Sequence, residues 1–286
     1  MTITGTTRLA AVIGWPVEHS RSPQMLNAAF EARGVDAVLV PLGVDPSQLA
    51  GVVGALRATR ALGASVTIPH KVAVANLCDQ LSPAARAIGA VNCLHFTETD
   101  IVGHNTDSEG FVDSLVEAGC KQPPEIVLLG GGGASRAVAF ALRAARRIHI
   151  VARNPDRVSW VEAMQQVVVR PNNTQLVVHP WDDVRSVLER AELVVDCTPI
   201  GLSKTDEVAM TDTIPLDAVR KDVWVTTLVY HRPTLLLERA RDRGHPTLDG
   251  RGMLVHQGAR AFGIWTNMTA PVDAMRQALD AALRGT

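Results

Sequence analysis

The sequence predicts an α/β protein built from two domains, and three observations support that prediction. The chain has 286 residues, a length that suits two domains or one large α/β unit. Apolar residues make up 47% of the chain, which is enough for substantial cores. Strand-like apolar runs alternate with amphipathic helical patterns along most of the length, which is typical of a mostly parallel sheet covered by helices.

Charge, hydropathy and cysteine spacing exclude several other classes of protein. The 28 Lys and Arg residues nearly balance the 29 Asp and Glu residues, so we expect no nucleic-acid partner. The longest apolar runs, such as residues 9–15, have the length of a strand rather than the roughly 20 residues of a membrane span. No signal-peptide pattern precedes them, so we expect a cytoplasmic protein with no membrane partner. The four cysteines lie too far apart for a zinc site or a disulfide framework, and no metal is predicted.

The first third of the chain predicts an α/β domain. Its strand candidates are residues 9–15, 37–42, 64–68 and 90–96. Between the first two, Ser22 is expected to cap a helix that has Pro23 in its first turn, and Gly34 is expected to end that helix. The buried face of this helix is predicted to carry Met25, Leu26, Ala29 and Phe30.

A second and more regular alternation predicts a doubly wound nucleotide-binding domain. Its strand candidates are residues 126–129, 148–152, 176–178, 193–197 and 223–229. The helix at 107–118 and the proline-bearing stretch 121–124 suit a joint between the domains. The tail from Gly250 has two helical patterns and no strand, so we expect it to pack on the first domain. The predicted domains are therefore 1–106 with 249–286, and 107–248.

A run of glycines stands between the first strand and the first helix of the second domain. The turn consists of Gly130, Gly131, Gly132, Gly133, Ala134 and Ser135. Glycines let the backbone turn tightly and approach a pyrophosphate, whose charge is met by the free N–H groups and the positive dipole end of the helix. Any tight connection of this type can need one or two glycines, but four in a row favour a dinucleotide site.

The end of the next strand distinguishes between the two nicotinamide cofactors. An acidic residue there would bind the 2′-hydroxyl of NAD, whereas a basic residue accommodates the 2′-phosphate of NADP. This sequence has Arg153 and Arg157, and its first acid, Asp156, comes about one turn later. We therefore predict NADP as the cofactor. The alternative is that both arginines are solvated surface charges.

Polar clusters at the ends of the predicted strands in the first domain suit a small polyhydroxylated ligand. They lie at residues 19–23, 65–71 and 103–107, with Asn92 between the last two. Oxidation of an alcohol needs a proton acceptor beside the oxygen, and Lys71 and Asp107 are the candidates. The alternatives are a solvated lysine at a helix start and an aspartate that caps the following helix.

Five motifs in order resemble those of the shikimate dehydrogenase family, from Leu9 to the C-terminal helices. They read VIGWPVEHSRSP at 12–23, VTIPHK at 66–71, GAVN at 89–92, GHNTD at 103–107 and GRGMLVHQ at 250–257. The glycine turn and Arg153 are similar to the NADP motifs of the family. Such agreement over most of the chain is highly specific.

The resemblance implies roles for individual residues. Lys71 and Asp107 would be catalytic, and Ser20 and Ser22 would hold the substrate carboxylate. The remaining substrate-binding positions would be Ser65, Thr67, Asn92, Tyr230 and Gln257. Beyond the glycine turn and the two arginines, Thr198, Gly252 and Met253 would contact the cofactor.

The implied activity is an NADP-dependent interconversion of shikimate, or a close analogue, and its 3-keto form. It is a reaction of the EC 1.1.1.25 type on the chorismate route to aromatic amino acids. The substrate would be a shikimate-like ring acid, and the protein would act as a monomer or homodimer.

Some positions depart from the family pattern and keep alternatives open. Ser65 stands where the family usually has an asparagine that reaches a ring hydroxyl, and Thr227 stands where it usually has Asp. Ala152-Arg153-Asn154 replaces Asn-Arg-Thr, and Cys197-Thr198-Pro199 replaces Ala-Thr-Ser. The alternatives are a quinate or aminoshikimate dehydrogenase paralogue, or a non-catalytic ligand sensor. Retention of Lys71 and Asp107 argues against the sensor, because binding alone needs no proton relay.

Overall fold

The computed structural model describes residues 2–201 and 205–284, without the side chains of residues 168–172. The chain divides into two compact units, which we call unit 1 and unit 2. Unit 1 comprises residues up to Gly110 together with those from Val255 onward, and unit 2 comprises residues 111–254. The domain limits predicted from the sequence fall slightly earlier in the chain and stay a prediction.

Unit 1 is built on a six-stranded sheet in the order β2-β1-β3-β5-β6-β4. Its strands are β1 (Arg8–Gly14), β2 (Ala37–Gly43), β3 (Gly63–Val66), β4 (Gln80–Leu81), β5 (Cys93–Phe96) and β6 (Ile101–His104). β1 runs parallel to both β2 and β3, as the alternation of strands and helices predicts. The last five residues of β1 are buried between β2 and β3.

One strand of this sheet is reversed, because β5 runs antiparallel to β3 and to β6. β5 and β6 form a hairpin whose loop is closed by a hydrogen bond from Thr97 N to Asp100 O at 2.9 Å. β6 has only four residues and was not predicted. Because β4 is parallel to β6, five of the six strands run in the same direction and only β5 runs against them, so the prediction of a mostly parallel sheet is confirmed.

Helices cover the sheet and supply part of the site. Those that begin in unit 1 are α1 (Ser22–Ala32), α2 (Leu49–Ala58), α3 (Pro83–Ile88), α4 (Asp107–Glu117) and α11 (Val272–Arg284). Another helix, α10 (Arg251–Thr266), begins in unit 2 and continues into unit 1. The two helical patterns predicted for the tail are thus confirmed.

The prediction for the start of α1 was wrong in one detail. Ser22 is already the first helical residue, and the capping position is Arg21, which makes no side-chain cap. The Ser22 amide instead donates to Ser20 Oγ at 3.3 Å, so the hydroxyl of the earlier serine meets a free N–H at this helix start. The end of the helix is as predicted, with Gly34 at φ +64°. The four predicted core residues of α1 are fully buried.

Unit 2 is a doubly wound domain with an all-parallel sheet in the order β12-β11-β10-β7-β8-β9. Its strands are β7 (Glu125–Leu129), β8 (Arg147–Ala152), β9 (Gln175–Pro180), β10 (Leu193–Asp196), β11 (Trp224–Thr227) and β12 (Thr247–Leu248). Its helices are α5 (Gly133–Ala141), α6 (Trp160–Asn172), α7 (Val184–Leu188), α8 (Glu207–Asp212) and α9 (Leu235–Asp242). The order reverses between β7 and β10, and ligands of such sheets bind beyond the carboxyl ends of the strands at that point.

Cys93, Cys120 and Cys197 are buried and Cys78 is half-buried, and all four are free thiols. No helix among the described residues is long and apolar enough to cross a bilayer. No cluster of metal-binding side chains occurs among them either.

Candidate active site

Lys71 is placed in unit 1 by the chain that follows β3. The carbonyl oxygen of Lys71 accepts a hydrogen bond from Val91 N at 2.8 Å, which ties the lysine backbone to the residue just before Asn92. His70, beside it, is buried and has Nε2 2.7 Å from Val44 O, so its imidazole anchors the segment. Lys71 is therefore held at the carboxyl end of the sheet, next to the start of β5.

Asp107 is the first residue of α4, directly after β6 and its Asn105-Thr106 loop. Its Oδ2 lies 2.7 Å from Lys71 Nζ, and its Oδ1 accepts a hydrogen bond from Asn92 Nδ2 at 2.9 Å. The free N–H groups at the start of α4 also favour a negative charge at this position. The side chains of Lys71 and Asp107 are 32% and 14% exposed, so the ion pair can be reached by a ligand.

Asn92 links Asp107 to two further residues. Its Oδ1 accepts a hydrogen bond from Thr106 N at 2.7 Å, and its Nδ2 lies 2.9 Å from Thr106 Oγ1. Nδ2 also lies 3.4 Å from Gln257 Oε1 on α10. The structure therefore joins Lys71, Asp107, Asn92 and Gln257 in one network, and each of these four residues is predicted from the sequence to belong to the site.

Thr106 is the member of this network that the sequence analysis did not single out. It is buried, and it meets the Asn92 carboxamide with both its amide and its hydroxyl. The sequence does contain a feature that indicates a role for Thr106, because this residue lies in the GHNTD motif between the end of a strand and Asp107. Thr106 acts on Asp107 through Asn92.

Gly110 lets α10 approach α4 closely enough to bring Gln257 to Asn92. A Cβ at Gly110 would lie 2.6 Å from Gln257 N and 2.9 Å from Gln257 Cα. Those are backbone atoms, which cannot rotate aside. A residue without a side chain is needed here, one turn after Asp107.

The hydroxyl residues predicted to bind substrate lie near the same edge of the sheet, on β3 and in the segments that follow β1 and β3. Ser22 is buried, and Ser20 is half-buried with Oγ facing the Ser22 amide. Thr67 is half-buried, and a Cβ at Gly14 would lie 2.5 Å from its methyl group. Ser65 is buried on β3, and its Oγ has no hydrogen-bond partner among the described residues. No hydrogen bond in the described parts of the chain joins these four hydroxyls to the Lys71 network.

In unit 2 the glycine turn has the geometry of an anion-binding loop. Gly130 has φ +99°, and a Cβ at Gly131 would lie 2.5 Å from Val158 Cγ2, so neither position suits a side chain. Ser135 Oγ donates to Gly130 O at 2.6 Å, and Trp160 Nε1 donates to Gly131 O at 2.9 Å. The turn is therefore held from both sides.

The outer part of the turn is open. Gly132, Gly133 and Ala134 are exposed at the N-terminus of α5, where helix N–H groups are free. Arg153 and Arg157 are also exposed, and neither pairs with another side chain in the described part of the chain. Gly130 N donates to Val151 O at 2.8 Å, which places the turn beside the strand end that leads to Arg153. These residues fit the pyrophosphate and 2′-phosphate of NADP.

The remaining predicted contacts lie at the ends of other elements of unit 2. Thr198 follows β10, with Cγ2 3.2 Å from a Cβ built on Gly130. Tyr230 follows β11 and is half-buried, with its ring edge-on to His231 at 6.0 Å. Gly252 and Met253 form the first turn of α10, where a Cβ on Gly252 would lie 2.9 Å from Ser114 Cβ. The roles of these residues stay predictions.

Models of protein families match the chain at both ends. The shikimate dehydrogenase substrate-binding domain matches residues 12–94, and the shikimate 5′-dehydrogenase C-terminal domain matches residues 250–279. The first range spans β1 to β5, and the second contains α10 and most of α11.

Curated relatives are similar over almost the whole length. The chain is 40% identical over 292 residues to the shikimate dehydrogenase (NADP(+)) of Methanopyrus kandleri, covering 99% of each protein. It is 38% identical over 284 residues to that of Desulforamulus reducens, covering 97% of this chain and 96% of the relative.

Solved structures agree in fold. Shikimate 5-dehydrogenase from Listeria monocytogenes, in complex with shikimate and NAD, has a TM-score of 0.89 and 32% identity, covering 97% of this chain and 98% of that one. Quinate dehydrogenase from Corynebacterium glutamicum, in complex with NAD, has a TM-score of 0.86 and 28% identity, covering 96% and 99%. Since the family models, the full-length relatives and the fold all agree, the chain belongs to the shikimate dehydrogenase family.

Proposed function

We propose that this protein is an NADP-dependent shikimate dehydrogenase, which interconverts shikimate and 3-dehydroshikimate. The observation that carries the proposal is the ion pair of Lys71 and Asp107 at 2.7 Å, with Asn92 on the other carboxylate oxygen. A ligand sensor would need neither an ammonium group at the reacting oxygen nor a carboxylate to hold it.

Lys71 donates a proton to the reacting oxygen or accepts one from it, depending on the direction of the reaction. In the reducing direction its ammonium group donates a proton to the carbonyl oxygen as the carbon receives hydride, and in the oxidising direction its amine accepts the hydroxyl proton. Asp107 holds Nζ in place at 2.7 Å. NADP, when bound, accepts or supplies the hydride. Because Lys71 is partly exposed, it can exchange its proton with water between turnovers.

The other polar residues of unit 1 bind and orient the ring. Ser20 and Ser22 hold the substrate carboxylate, at a helix start whose free N–H groups favour an anion. Thr67, Asn92 and Gln257 meet ring hydroxyls, as does Asp107. Each hydroxyl needs a partner once water is excluded, and this requirement selects a polyhydroxylated acid over an apolar one.

The cofactor residues lie in unit 2. The glycine turn and the N-terminus of α5 bind the pyrophosphate, and Arg153 and Arg157 bind the 2′-phosphate that distinguishes NADP from NAD. Thr198, Gly252 and Met253 contact the dinucleotide, and Tyr230 contacts the substrate.

The experiment that tests this function follows NADPH formation by the purified full-length chain with shikimate, quinate and aminoshikimate in parallel. Shikimate should be oxidised with the highest kcat/KM, and NADP should be used in preference to NAD. Faster oxidation of quinate or aminoshikimate would change the substrate assignment. If no acid reduces the cofactor, yet shikimate raises the melting temperature, the protein is a sensor rather than an enzyme.

A further inference from the structure

Asp196 is a buried acid at the carboxyl end of β10 that the proposed reaction does not use. It is only 1% exposed, and it lies between β7 and β11, in register with Leu129 and Thr227. Its Oδ2 has no hydrogen-bond partner among the described residues. A buried carboxyl oxygen without a partner is costly, so its presence at this strand end calls for a reason.

The other oxygen of Asp196 holds the loop that follows β10. Oδ1 accepts hydrogen bonds from Thr198 N at 2.9 Å and from Thr198 Oγ1 at 2.6 Å. Thr198 Oγ1 in turn accepts a hydrogen bond from Ile200 N at 3.2 Å. One carboxyl oxygen therefore fixes both the backbone and the side chain of Thr198, and through them the next part of the loop.

This loop forms a wall of the glycine turn. A Cβ at Gly130 would lie 3.2 Å from Thr198 Cγ2 and 3.3 Å from Thr198 N. Cys197 N donates to Leu129 O at 2.9 Å, which ties the start of the loop to the strand that leads into the turn. Any displacement of Thr198 therefore changes the surface beside Gly130.

We propose that Asp196 is a positioning residue of the cofactor site, which fixes Thr198 against the glycine turn so that the loop is preformed for the dinucleotide. The proposal rests on the proposed function, in which the turn and Thr198 bind NADP. Preformed loops bind more tightly because less conformational entropy is lost on binding.

The environment of Asp196 supports a role other than stability. Burial raises the pKa of this carboxyl group to about 6, opposed by the hydrogen bonds from Thr198 and without a contribution from a neighbouring charge. The groups around it are Leu129, Thr227, Thr198 and the thiol of Cys197, whose pKa is itself raised by burial. A buried acid with no countercharge opposes folding once it ionises, and the hydrogen bonds from Thr198 offset part of that cost.

The test is NADPH binding to the full-length chain, measured by calorimetric titration without shikimate. Asp196→Val removes the acceptor but suits a buried strand position, so the variant should be at least as stable in urea as the parent. Its Kd for NADPH should nevertheless rise about tenfold. Asp196→Asn keeps a carbonyl acceptor and should stay within about threefold of the parent.

Thr226→Val provides the matched control, because it removes another buried hydrogen bond of the same sheet, from Thr226 Oγ1 to Val194 O at 3.1 Å. Its Kd for NADPH should not change. An unchanged Kd for Asp196→Val, or an equal rise for Thr226→Val, would overturn the positioning role. If the parent itself does not bind NADPH, the cofactor assignment fails, which is a separate result. Shikimate affinity, measured from its effect on the melting temperature, should be the same in all variants.

Discussion

Asn92 Nδ2 lies 2.9 Å from Asp107 Oδ1, while the oxygen on the other side of the same carboxylate faces Lys71. The carboxamide thus fixes the orientation of the acid that orients the lysine. Thr106 holds Asn92 in turn, so four residues from three segments of chain determine where the ammonium group lies.

Replacement of Asn92 by Ala should lower kcat/KM for shikimate by about 10- to 100-fold, because hydrogen bonds to charged groups contribute about 1.5–3 kcal/mol. The matched control is Asn105→Ala, since Asn105 is also a buried carboxamide of this region but donates to Ala90 O at 3.0 Å and not to Asp107. Both variants should lose stability in urea, by about 1–3 kcal/mol for each unsatisfied buried group. Equal losses of activity in the two variants would contradict the orienting role of Asn92.

Replacement of Arg153 by Ala should raise the KM for NADP at least tenfold and leave the KM for NAD nearly unchanged. The physical reason is the loss of a charge-assisted bond to a phosphate that NAD lacks. Initial rates with each cofactor at saturating shikimate measure the effect, and Arg243→Ala, which removes another exposed arginine of unit 2, is the control. Similar changes for both cofactors, or a preference of the parent for NAD, would assign Arg153 to the solvated surface.

Ser65 should limit the activity on shikimate. Its Oγ is buried and has no hydrogen-bond partner among the described residues, and the serine side chain is shorter than the asparagine that the family usually has at this position. A buried ring hydroxyl that lacks a hydrogen-bond partner costs about 1–3 kcal/mol. Ser65→Asn restores the longer side chain, so it should raise kcat/KM for shikimate by one to two orders of magnitude. Ser65→Ala should leave it within a few-fold of the parent. A parent that is already fast on shikimate and is not improved by Asn would show that the substitution is neutral.

Stability should fall as the pH is lowered below about 6.5, and His149 should contribute to that fall. His149 is 4% exposed, and burial lowers its pKa below the ordinary 6.5, although Glu125 at 3.1 Å opposes the shift. The unfolded chain therefore binds this proton more readily than the folded one. The contribution of neutral His149 to the free energy of unfolding is fully present above pH 6.5 and is lost as the pH falls toward the pKa of the folded state. One such group contributes at most about 1.4 kcal/mol per pH unit.

Urea unfolding at pH 5.5 and pH 7.5 measures this pH dependence. His149→Gln keeps a donor for Glu125 but does not titrate, so its unfolding free energy should change less between the two pH values than that of the parent. Between pH 7.5 and 8.5 the two proteins should change in parallel. An identical fall in both proteins below pH 6.5 would show that His149 is not among the groups responsible.

Much of the site could be predicted because its residues adjoin the ends of strands, Lys71 and Asp107 after a strand and Asn92 directly before β5. Lys71, Asn92 and Asp107 all belong to segments adjoining strand ends, and polar residues at the carboxyl edge of a sheet indicate a ligand before any contact is known. The glycine turn could be predicted equally directly, because four glycines in a row between a strand and a helix favour a dinucleotide site. In the structure, Gly131 has no room for a side chain beside Val158. Gln257 came from the resemblance, because no local pattern links a residue on a late helix to Asn92.

What could not be predicted depends on contacts between distant segments. β6 is too short to show a periodic pattern, and its antiparallel pairing with β5 is what brings His104 opposite Cys93. The role of Thr106 follows from that pairing. Ser22 could cap α1 only if its backbone lay just outside the helix. The residue types alone do not decide whether the helix begins at Ser22 or after it.

We propose that Lys71 transfers the proton of the reacting oxygen, and the sharpest test of this role is steady-state oxidation of shikimate by Lys71→Ala. Lys221→Ala removes another, exposed lysine and is the control. Lys71→Ala should lower kcat by roughly 10²–10⁴-fold, as expected for a lost general acid–base group, with only a modest change in the KM for shikimate. Near-normal turnover by Lys71→Ala would show that Lys71 does not transfer the proton and is a solvated surface lysine.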